Sequence, residues 1–440
     1  MVSSLAASFV VVASGIAGDG SAALIESELS CKARLSVLET SATPTQTFFA
    51  LLPIGLADDA AGKTQWSHLL EHLLLRSTDP VGLSDGTIVF NAETMAAGMH
   101  LDVHAPLADA PRAAAKLCGW LRLSAIDPAV LAREKQNALA EVDSTSANGF
   151  THKWAAAAWC QVVRHGAKSA AVRGDVAAAT PEALLEYAKS RVAIGPGLRI
   201  VAVGPMKATD VKALFERELG APVIAADPAL PKASAPPPAA PKKLATGDLA
   251  ATWDLPAAHL LEWYVAPDAK PADRLAAMLV ANQLTMALQS DPELQREKIV
   301  ALASADVVAA EGRVLLLSAS LADPTDRPVA LAGFQRAIGK LGDAPMPGVS
   351  FEQYLTMVKA ELSGLPDFAA QRRLLAGRPG LELLEAQMVL NLATREQQGG
   401  LALAAMSDAA KTLDAKQLAE WRTRLFTAER ASRLLLTPTR

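Results

Sequence analysis

The sequence is poor in cysteine, in aromatic residues and in unbalanced charge. Its three cysteines, Cys31, Cys118 and Cys160, are an odd number without a Cys-x-x-Cys spacing, which argues against a disulfide framework and against a thiolate zinc site. The formal charge of -4, without a basic cluster, gives no electrostatic footprint for a nucleic acid backbone. Beyond the N-terminal region no segment is long and apolar enough to cross a bilayer. We therefore expect neither nucleic acid nor a membrane as a partner.

One apolar run, LAASFVVVASGIA, covers residues 5–17. Its length is typical of the core of a signal peptide, but the first basic residue is Lys32, so the usual basic flank is missing. The same run can instead form a β-strand centred on SFVVVA. We expect a cytoplasmic protein, with a periplasmic one as the alternative if residues 1–23 are a signal peptide.

A chain of 440 residues favours two domains or more. The segment DPALPKASAPPPAAPKK, residues 227–243, is typical of a semi-rigid Ala/Pro-rich linker, and it divides the chain into residues 1–226 and 244–440. Each half closes on a similar strand, LRIVAVGP from Leu198 and SRLLLTPT from Ser432. Because strands and helices interleave irregularly, the pattern predicts an α+β fold of two homologous halves, each a mixed β-sheet packed with helices.

A leucine-rich segment, GKTQWSHLLEHLLLRSTDP, contains two histidines and a glutamate. It predicts a helix with Thr64 as its N-cap and the dipeptide Asp79-Pro80 beyond its end. The helix is apolar nearly all round, which is typical of a buried helix. Burying ionisable groups without partners costs several kcal/mol, so these three side chains need an explanation.

His68 and His72 lie one turn apart on one face of this helix, with Glu71 beside them. Two neutral imidazoles at this spacing can bind Zn²⁺ while the carboxylate handles its water, which would explain ionisable groups in an apolar helix. His-x-x-Glu-His is the inverted form of the His-Glu-x-x-His zinc motif. The alternative is a pair of core or surface histidines beside an exposed glutamate.

A second helix is predicted by IDPAVLAREKQNALAEVDS, with Asp127 as N-cap and Pro128 at its first position. Glu134 and Glu141 are seven residues apart in it, and therefore two turns apart on one face. A catalytic zinc site needs a third protein ligand, and this helix could bring one glutamate to the metal and hold the other nearby. Taken singly, each glutamate is typical of a solvated surface charge.

SHLLEHLLLRST, followed at a distance by REKQNALAEV, resembles the pitrilysin/insulinase family of zinc peptidases, whose chains carry paired homologous domains. The resemblance implies one Zn²⁺ per chain, bound by His68, His72 and Glu141. It also implies that Glu71 is the catalytic base and that Glu134 orients the base or a metal ligand. The gap of 69 residues between His72 and Glu141 is somewhat shorter than is usual in the family.

NAETMAAGMHLDVHAP resembles the family's Asn-Ala-x-Thr segment, whose edge strand pairs with the substrate backbone, and this implies substrate contacts at Asn91 and Ala92. The family's second half carries an arginine, followed by a tyrosine that helps to bind the developing oxyanion. Arg296 is present in LQREKIVALASA, but Leu302 stands where the tyrosine is expected. The resemblance therefore implies the zinc-bearing subunit of a heterodimer whose zinc-free partner supplies the arginine and tyrosine. A homodimer that uses Arg296 is the alternative.

The function implied by this resemblance is zinc-dependent endopeptidase activity on short or unfolded peptides, in a clam-like dimer. Processing of the pyrroloquinoline quinone precursor peptide is one specific activity within the family, and general peptide scavenging is another. The competing hypothesis is a non-catalytic structural or partner subunit of the same family.

Two other patterns predict no ligand site. GLADDAAGKT has Ala57 where a phosphate-binding loop needs its first glycine, so no nucleotide site is expected. His100 and His104 lie in MHLDVHAP, which alternates as a strand does and holds them too far apart for a tight pair. These two are predicted to be structural, as are His152, His165 and His259.

Overall fold

The computed structural model describes residues 25–40, 44–76, 84–147, 152–192, 194–220, 244–267, 270–309, 312–342, 350, 352–356 and 403–439. The N-terminal segment 1–23, the dipeptide Asp79-Pro80 and the linker 227–243 lie outside these residues. Among the described residues, no helix combines the length and the apolar composition needed to span a membrane.

The first half of the sequence forms both β-strands and α-helices. Its strands are β1 (Ile25–Glu28), β2 (Arg34–Glu39), β3 (Thr45–Leu52), β4 (Ser84–Asp85), β5 (Ile88–Thr94), β6 (Met99–Pro106), β7 (Ser169–Ala170) and β8 (Arg199–Gly204). Its helices are α1 (Trp66–Arg76), α2 (Ala110–Trp120), α3 (Pro128–Ala147), α4 (His152–Trp159), α5 (Gly174–Ala178), α6 (Pro181–Arg191) and α7 (Ala208–Gly220).

The first sheet has the strand order β1-β2-β8-β3-β6-β5-β4. The strand predicted from LRIVAVGP is β8, which lies between β2, to which it is parallel, and β3, to which it is antiparallel. All six residues of β8 are buried, as the nearly continuous apolar run of a central strand indicates. Helices α1, α2 and α7 pack against this sheet and enclose the first hydrophobic core with it.

The second half repeats this arrangement. Its elements are β9 (Asp248–Trp253), β10 (Ala258–Ala266), α8 (Pro271–Gln289), α9 (Pro292–Arg296), β11 (Val300–Ala309), β12 (Gly312–Leu321), α10 (Arg327–Gly339), α11 (Leu403–Thr412), α12 (Ala415–Leu425) and β13 (Ser432–Pro438). The sheet order is β11-β12-β10-β13-β9-β7. The predicted closing strand β13 is parallel to β9 and antiparallel to β10, just as β8 lies between β2 and β3. The α+β fold of two similar halves is therefore confirmed.

The two halves are joined by more than the linker. Strand β7, from the first half of the sequence, pairs in parallel with Thr252 and Trp253 of β9. A third apolar core lies between the halves, where the rings of Trp159 and Trp263 meet at 5.6 Å. The division into domains 1–226 and 244–440 stays a prediction, and the second sheet includes residues from both sides of the linker.

Candidate metal centre

Helix α1 begins in a different way from the sequence prediction. Its first residue is Trp66, and the backbone N–H of Ser67 donates to Asp59 Oδ1 at 3.1 Å, so Asp59 rather than Thr64 satisfies the first turn. The Ser67 hydroxyl donates to the other oxygen of Asp59, and the hydroxyl of Tyr187 donates to Asp59 at 2.6 Å. A carboxylate from a preceding loop therefore replaces the adjacent hydroxyl as the helix cap.

The leucines of α1 hold the helix in the first core. All five, Leu69, Leu70, Leu73, Leu74 and Leu75, are buried, and each contributes about 2 kcal/mol by leaving water. The polar motif is buried with them, since His68 is 1% exposed and Glu71 is 9% exposed. The apolar surface thus fixes the backbone from which both imidazoles project.

Helix α3 brings the two glutamates to α1. It begins as predicted, with Pro128 as its first residue and Asp127 Oδ1 accepting the backbone N–H of Ala129 at 2.7 Å. The two helices pack against each other. Glu134 and Glu141 both face α1, where Glu134 reaches His72 and Glu141 reaches both histidines.

Three atoms form a small triangle between α1 and α3. His68 Nε2 lies 3.2 Å from His72 Nε2 and 3.2 Å from Glu141 Oε2, and the third side, His72 Nε2 to Glu141 Oε2, is 3.6 Å. Ligands at about 2.1 Å from a tetrahedral zinc ion are separated by about 3.4 Å. The three residues therefore fit a zinc ion in distance and in chemical type, as a group that can hold a metal ion.

Each histidine of the triangle has a partner for its other ring nitrogen. Gln65 Oε1 lies 3.0 Å from His68 Nδ1, and Glu134 Oε2 lies 3.3 Å from His72 Nδ1. An acceptor at Nδ1 favours the tautomer that leaves Nε2 free to bind a metal. Both rings are thereby oriented with Nε2 toward the triangle.

Glu71 stands beside the triangle and is not one of its corners. Its Oε2 accepts a hydrogen bond of 2.6 Å from Thr94 Oγ1, at the end of β5. Because α1 packs against β5, the hydroxyl fixes one carboxylate oxygen of Glu71. The other carboxylate oxygen, Oε1, is not held by Thr94. It could accept a nearby proton.

The charges of the cluster are set by its own contacts. Burial lowers the pKa of His68. Burial also disfavours the charged form of His72, but hydrogen bonds to Glu134 and Glu141 outweigh it and raise the pKa to about 9. Burial likewise opposes ionisation of both glutamates, yet their hydrogen bonds to the histidines hold each carboxyl pKa well below its usual value. Both acids are thus anionic at neutral pH, which favours a bound cation.

Lys153 on α4 lies at the edge of the triangle. Its Nζ is 3.7 Å from Glu141 Oε1 and 4.9 Å from the centre of the Trp154 ring. The Trp154 ring in turn lies 5.2 Å from that of His68. An ammonium group therefore stands next to the one triangle residue whose side chain is substantially exposed, Glu141 at 44%.

The predicted substrate strand is β5. Asn91 and Ala92 pair with Asp102 and Leu101 of β6 on one side. On the other side, β4 pairs only with the first two residues of β5 among the described residues, and Asn91 is exposed. The edge at Asn91 and Ala92 is therefore open, within the described part of the chain, to a further strand.

Arg296 and Leu302, the two second-half positions singled out by the sequence, lie in α9 and β11. Arg296 ends α9, and its exposed guanidinium pairs with Glu297 at 2.8 Å. Leu302 is a half-buried residue of β11. The chain has three tyrosines, and all are buried. Tyr187 donates to Asp59, Tyr264 donates to Glu262, and Tyr354 accepts from Asn282.

The remaining histidines lie outside the triangle. His100 and His104 are in β6, as predicted, and both approach Asp102, at 3.5 and 2.7 Å. The rings of His152 and His259 have centres 5.5 Å apart, and the His259 ring lies 5.6 Å from that of Trp253. Neither pair belongs to a group of three potential metal ligands among the residues that the structure describes.

Four side chains at the site are not identified by the sequence patterns. Gln65, Thr94, Lys153 and Asp59 reach the motif from a loop, a strand and another helix. Thr94 carries the only available signal, because it is the last residue of the Asn-Ala-Glu-Thr segment. Asp59 and Lys153 reach the site through tertiary packing. Gln65 reaches His68 from three residues away through a left-handed backbone that its residue type does not indicate.

The fold of this chain resembles that of known proteins. No protein-family model and no curated protein matches the chain. Among solved structures, a protease from Helicobacter pylori has 14% sequence identity and a TM-score of 0.66, covering 94% of this chain and 100% of that chain. An inactive M16 peptidase domain from Pseudomonas fluorescens has 14% identity and a TM-score of 0.62, covering 95% and 98%.

The periplasmic protease PqqL from Escherichia coli has 17% identity and a TM-score of 0.58, covering 97% of this chain and 47% of PqqL. This chain thus spans about half the length of PqqL. Sequence identities of 14 to 17% establish similarity of fold alone. The similar structures include two proteases and one inactive domain. The chain therefore has the two-half α+β fold of the pitrilysin-like M16 peptidases.

Proposed function

We propose that this protein is a zinc-dependent endopeptidase that hydrolyses short or unfolded peptides. The observation that carries the proposal is the triangle of His68 Nε2, His72 Nε2 and Glu141 Oε2, with sides of 3.2 to 3.6 Å. Three protein ligands with room for a fourth are typical of catalytic rather than structural zinc. When bound, Zn²⁺ would polarise the scissile carbonyl and lower the pKa of a water molecule.

Glu71 is the proposed general base. It lies beside His72 on α1 and has one carboxylate oxygen fixed by Thr94 at 2.6 Å. In this proposal Glu71 accepts the proton of the attacking water and returns it to the leaving amine. Glu134 holds the His72 ring through Nδ1 at 3.3 Å.

The open edge of β5 is the proposed substrate site. A peptide added there as a strand would bond to the backbone of Asn91 and Ala92. This mode of binding requires an extended segment, and so it selects short or unfolded peptides. Precursor-peptide processing, such as that of pyrroloquinoline quinone, and general peptide scavenging both satisfy this requirement.

We infer that the oxyanion donor comes from a second, zinc-free subunit. The three tyrosines are buried and engaged in hydrogen bonds. Loss of one oxyanion donor typically costs about 3 kcal/mol, or about two decades in rate. A heterodimer whose partner supplies an arginine and a tyrosine would restore this donor, whereas a homodimer would depend on the exposed Arg296.

The second candidate is a non-catalytic subunit with the same fold. It is favoured by the engagement of all three tyrosines and by the likeness to an inactive M16 domain. The two candidates differ in what they require of Glu71. An enzyme needs its carboxylate, whereas a structural subunit does not.

The test combines metal content with turnover. The purified chain is expected to hold about one zinc ion, and it is assayed on a quenched peptide alone and with a candidate partner subunit. Glu71→Gln should retain zinc and abolish hydrolysis, because the amide cannot accept the proton. Undiminished turnover by this variant refutes the assigned base, and full activity of the chain alone refutes the heterodimer. A zinc-loaded chain that is inactive with every homologous partner supports the non-catalytic subunit.

A further inference from the structure

Gln65 has an unusual backbone for its position. Its φ is +73°, in the left-handed region that side chains other than glycine rarely adopt. Among the described residues only two other non-glycine residues have positive φ, Lys32 and Lys298, and both are exposed. Gln65 is fully buried, at 0% exposure. The strain at this position therefore lies inside the fold, immediately before α1.

The side chain of Gln65 carries a second cost. Its Nε2 is buried and has no hydrogen-bond partner, and a buried donor without a partner is unfavourable. Exchanging the amide oxygen and nitrogen would place Nε2 against His68 Nδ1 and would leave the oxygen without a donor. It would also move the ring proton of His68 to Nε2, the atom that faces Glu141 at 3.2 Å. The orientation with Oε1 toward the ring is the one compatible with a metal ligand.

One contact of Gln65 accompanies these two costs. Gln65 Oε1 lies 3.0 Å from His68 Nδ1, and Glu134 holds the corresponding nitrogen of His72. We propose that Gln65 is a positioning residue for metal binding, which fixes the tautomer and the ring orientation of His68 as Glu134 does for His72. The inference rests on the proposed zinc site and adds a residue to it. Backbone strain of this kind clusters at active sites and ligand sites.

The test measures zinc affinity by competition with a chromophoric chelator, together with the thermal unfolding of the metal-free chain. Gln65→Gly relieves the positive φ and removes both the acceptor and the orphaned amide. We expect about 10- to 100-fold weaker zinc binding, with an unchanged or higher unfolding temperature of the metal-free protein. Gln65→Glu keeps an oxygen acceptor on a side chain of the same length. Its zinc affinity should lie within about threefold of that of the wild type.

Lys32→Gly is the matched control, because it relieves the same backbone strain at an exposed turn and should leave zinc affinity unchanged. Wild-type affinity in Gln65→Gly, or weak binding that Gln65→Glu does not restore, would overturn the positioning role. A loss of affinity in step with a lower unfolding temperature of the metal-free chain would also overturn it, since it would indicate a general structural role. If the wild-type chain itself binds no zinc, the proposed function fails first.

Discussion

We predict that Asp59 couples the stability of helix α1 to pH. Its carboxylate is fully buried and accepts hydrogen bonds from the Ser67 backbone, the Ser67 hydroxyl and the Tyr187 hydroxyl. Burial raises the pKa of Asp59 to about 7, and the hydrogen bonds from Tyr187 and Ser67 only partly offset it. Asp59, which caps α1, is therefore about half protonated near neutral pH. Its hydrogen-bond partner Ser67 is the residue immediately before His68.

The direction of the effect follows from the two states. In the unfolded chain Asp59 ionises near its ordinary pKa of 3.8, whereas the folded chain resists ionisation until about pH 7. The folded state therefore loses stability as the pH rises through this window, and the loss is complete above it. A rise of this size corresponds to about 4 kcal/mol in the free energy of unfolding.

Asp59→Asn removes the ionisation while keeping an oxygen acceptor of the same shape. Denaturant unfolding of both proteins, followed by tryptophan fluorescence between pH 4 and pH 8, gives the difference in unfolding free energy. We expect the stability of the wild type relative to Asp59→Asn to fall by about 4 kcal/mol across this range. Tyr187→Phe removes one donor to the carboxylate, so its fall should be larger and extend to higher pH. A relative stability that is constant, or that rises with pH, would refute the reasoning.

Three further variants test the site. Glu134→Gln replaces the charged acceptor at His72 and should weaken zinc binding by about 10- to 100-fold in a chelator competition; unchanged affinity would contradict this role. Lys153→Met removes the ammonium that lies 3.7 Å from Glu141, and zinc should bind about tenfold more tightly because a competing cation is gone; weaker binding would contradict the prediction. Thr94→Val removes the bond to Glu71 and should lower kcat by about tenfold at unchanged zinc content, whereas an unchanged kcat would show that the bond is dispensable.

The elements that the sequence predicts well are those with a strong local pattern. The leucines around His68 and His72 indicate a buried helix because a helix that is apolar on all sides can only be covered by other elements. Asp127 and Pro128 mark the start of α3 because each has a favoured position at a helix N-terminus, and the structure places both there.

Contacts between distant segments could not be predicted in the same way. Thr64 is adjacent to α1 and has a suitable hydroxyl, yet Asp59 accepts the Ser67 N–H across a loop. Strand β7, Ser169–Ala170, is only two residues long and joins the second sheet through backbone pairing, which leaves no periodic pattern. The left-handed backbone of Gln65 could not be predicted from the sequence, because glycine and not glutamine is the residue that favours it.

In the proposed zinc site, the different surroundings of Glu134 and Glu141 favour Glu141 as the third metal ligand. Glu134 is 1% exposed, and its oxygens already bind His72 Nδ1, Arg133 Nε at 2.9 Å and Asn137 Nδ2 at 2.9 Å. Turning this carboxylate toward a metal would break charge-assisted bonds in a buried place, which is costly. Glu141 has a side chain that is 44% exposed, and among the described residues its side-chain partners are His68, His72 and Lys153. In the proposed site, the seven-residue spacing on α3 would thus provide one carboxylate that orients His72 and one that is available to bind the ion.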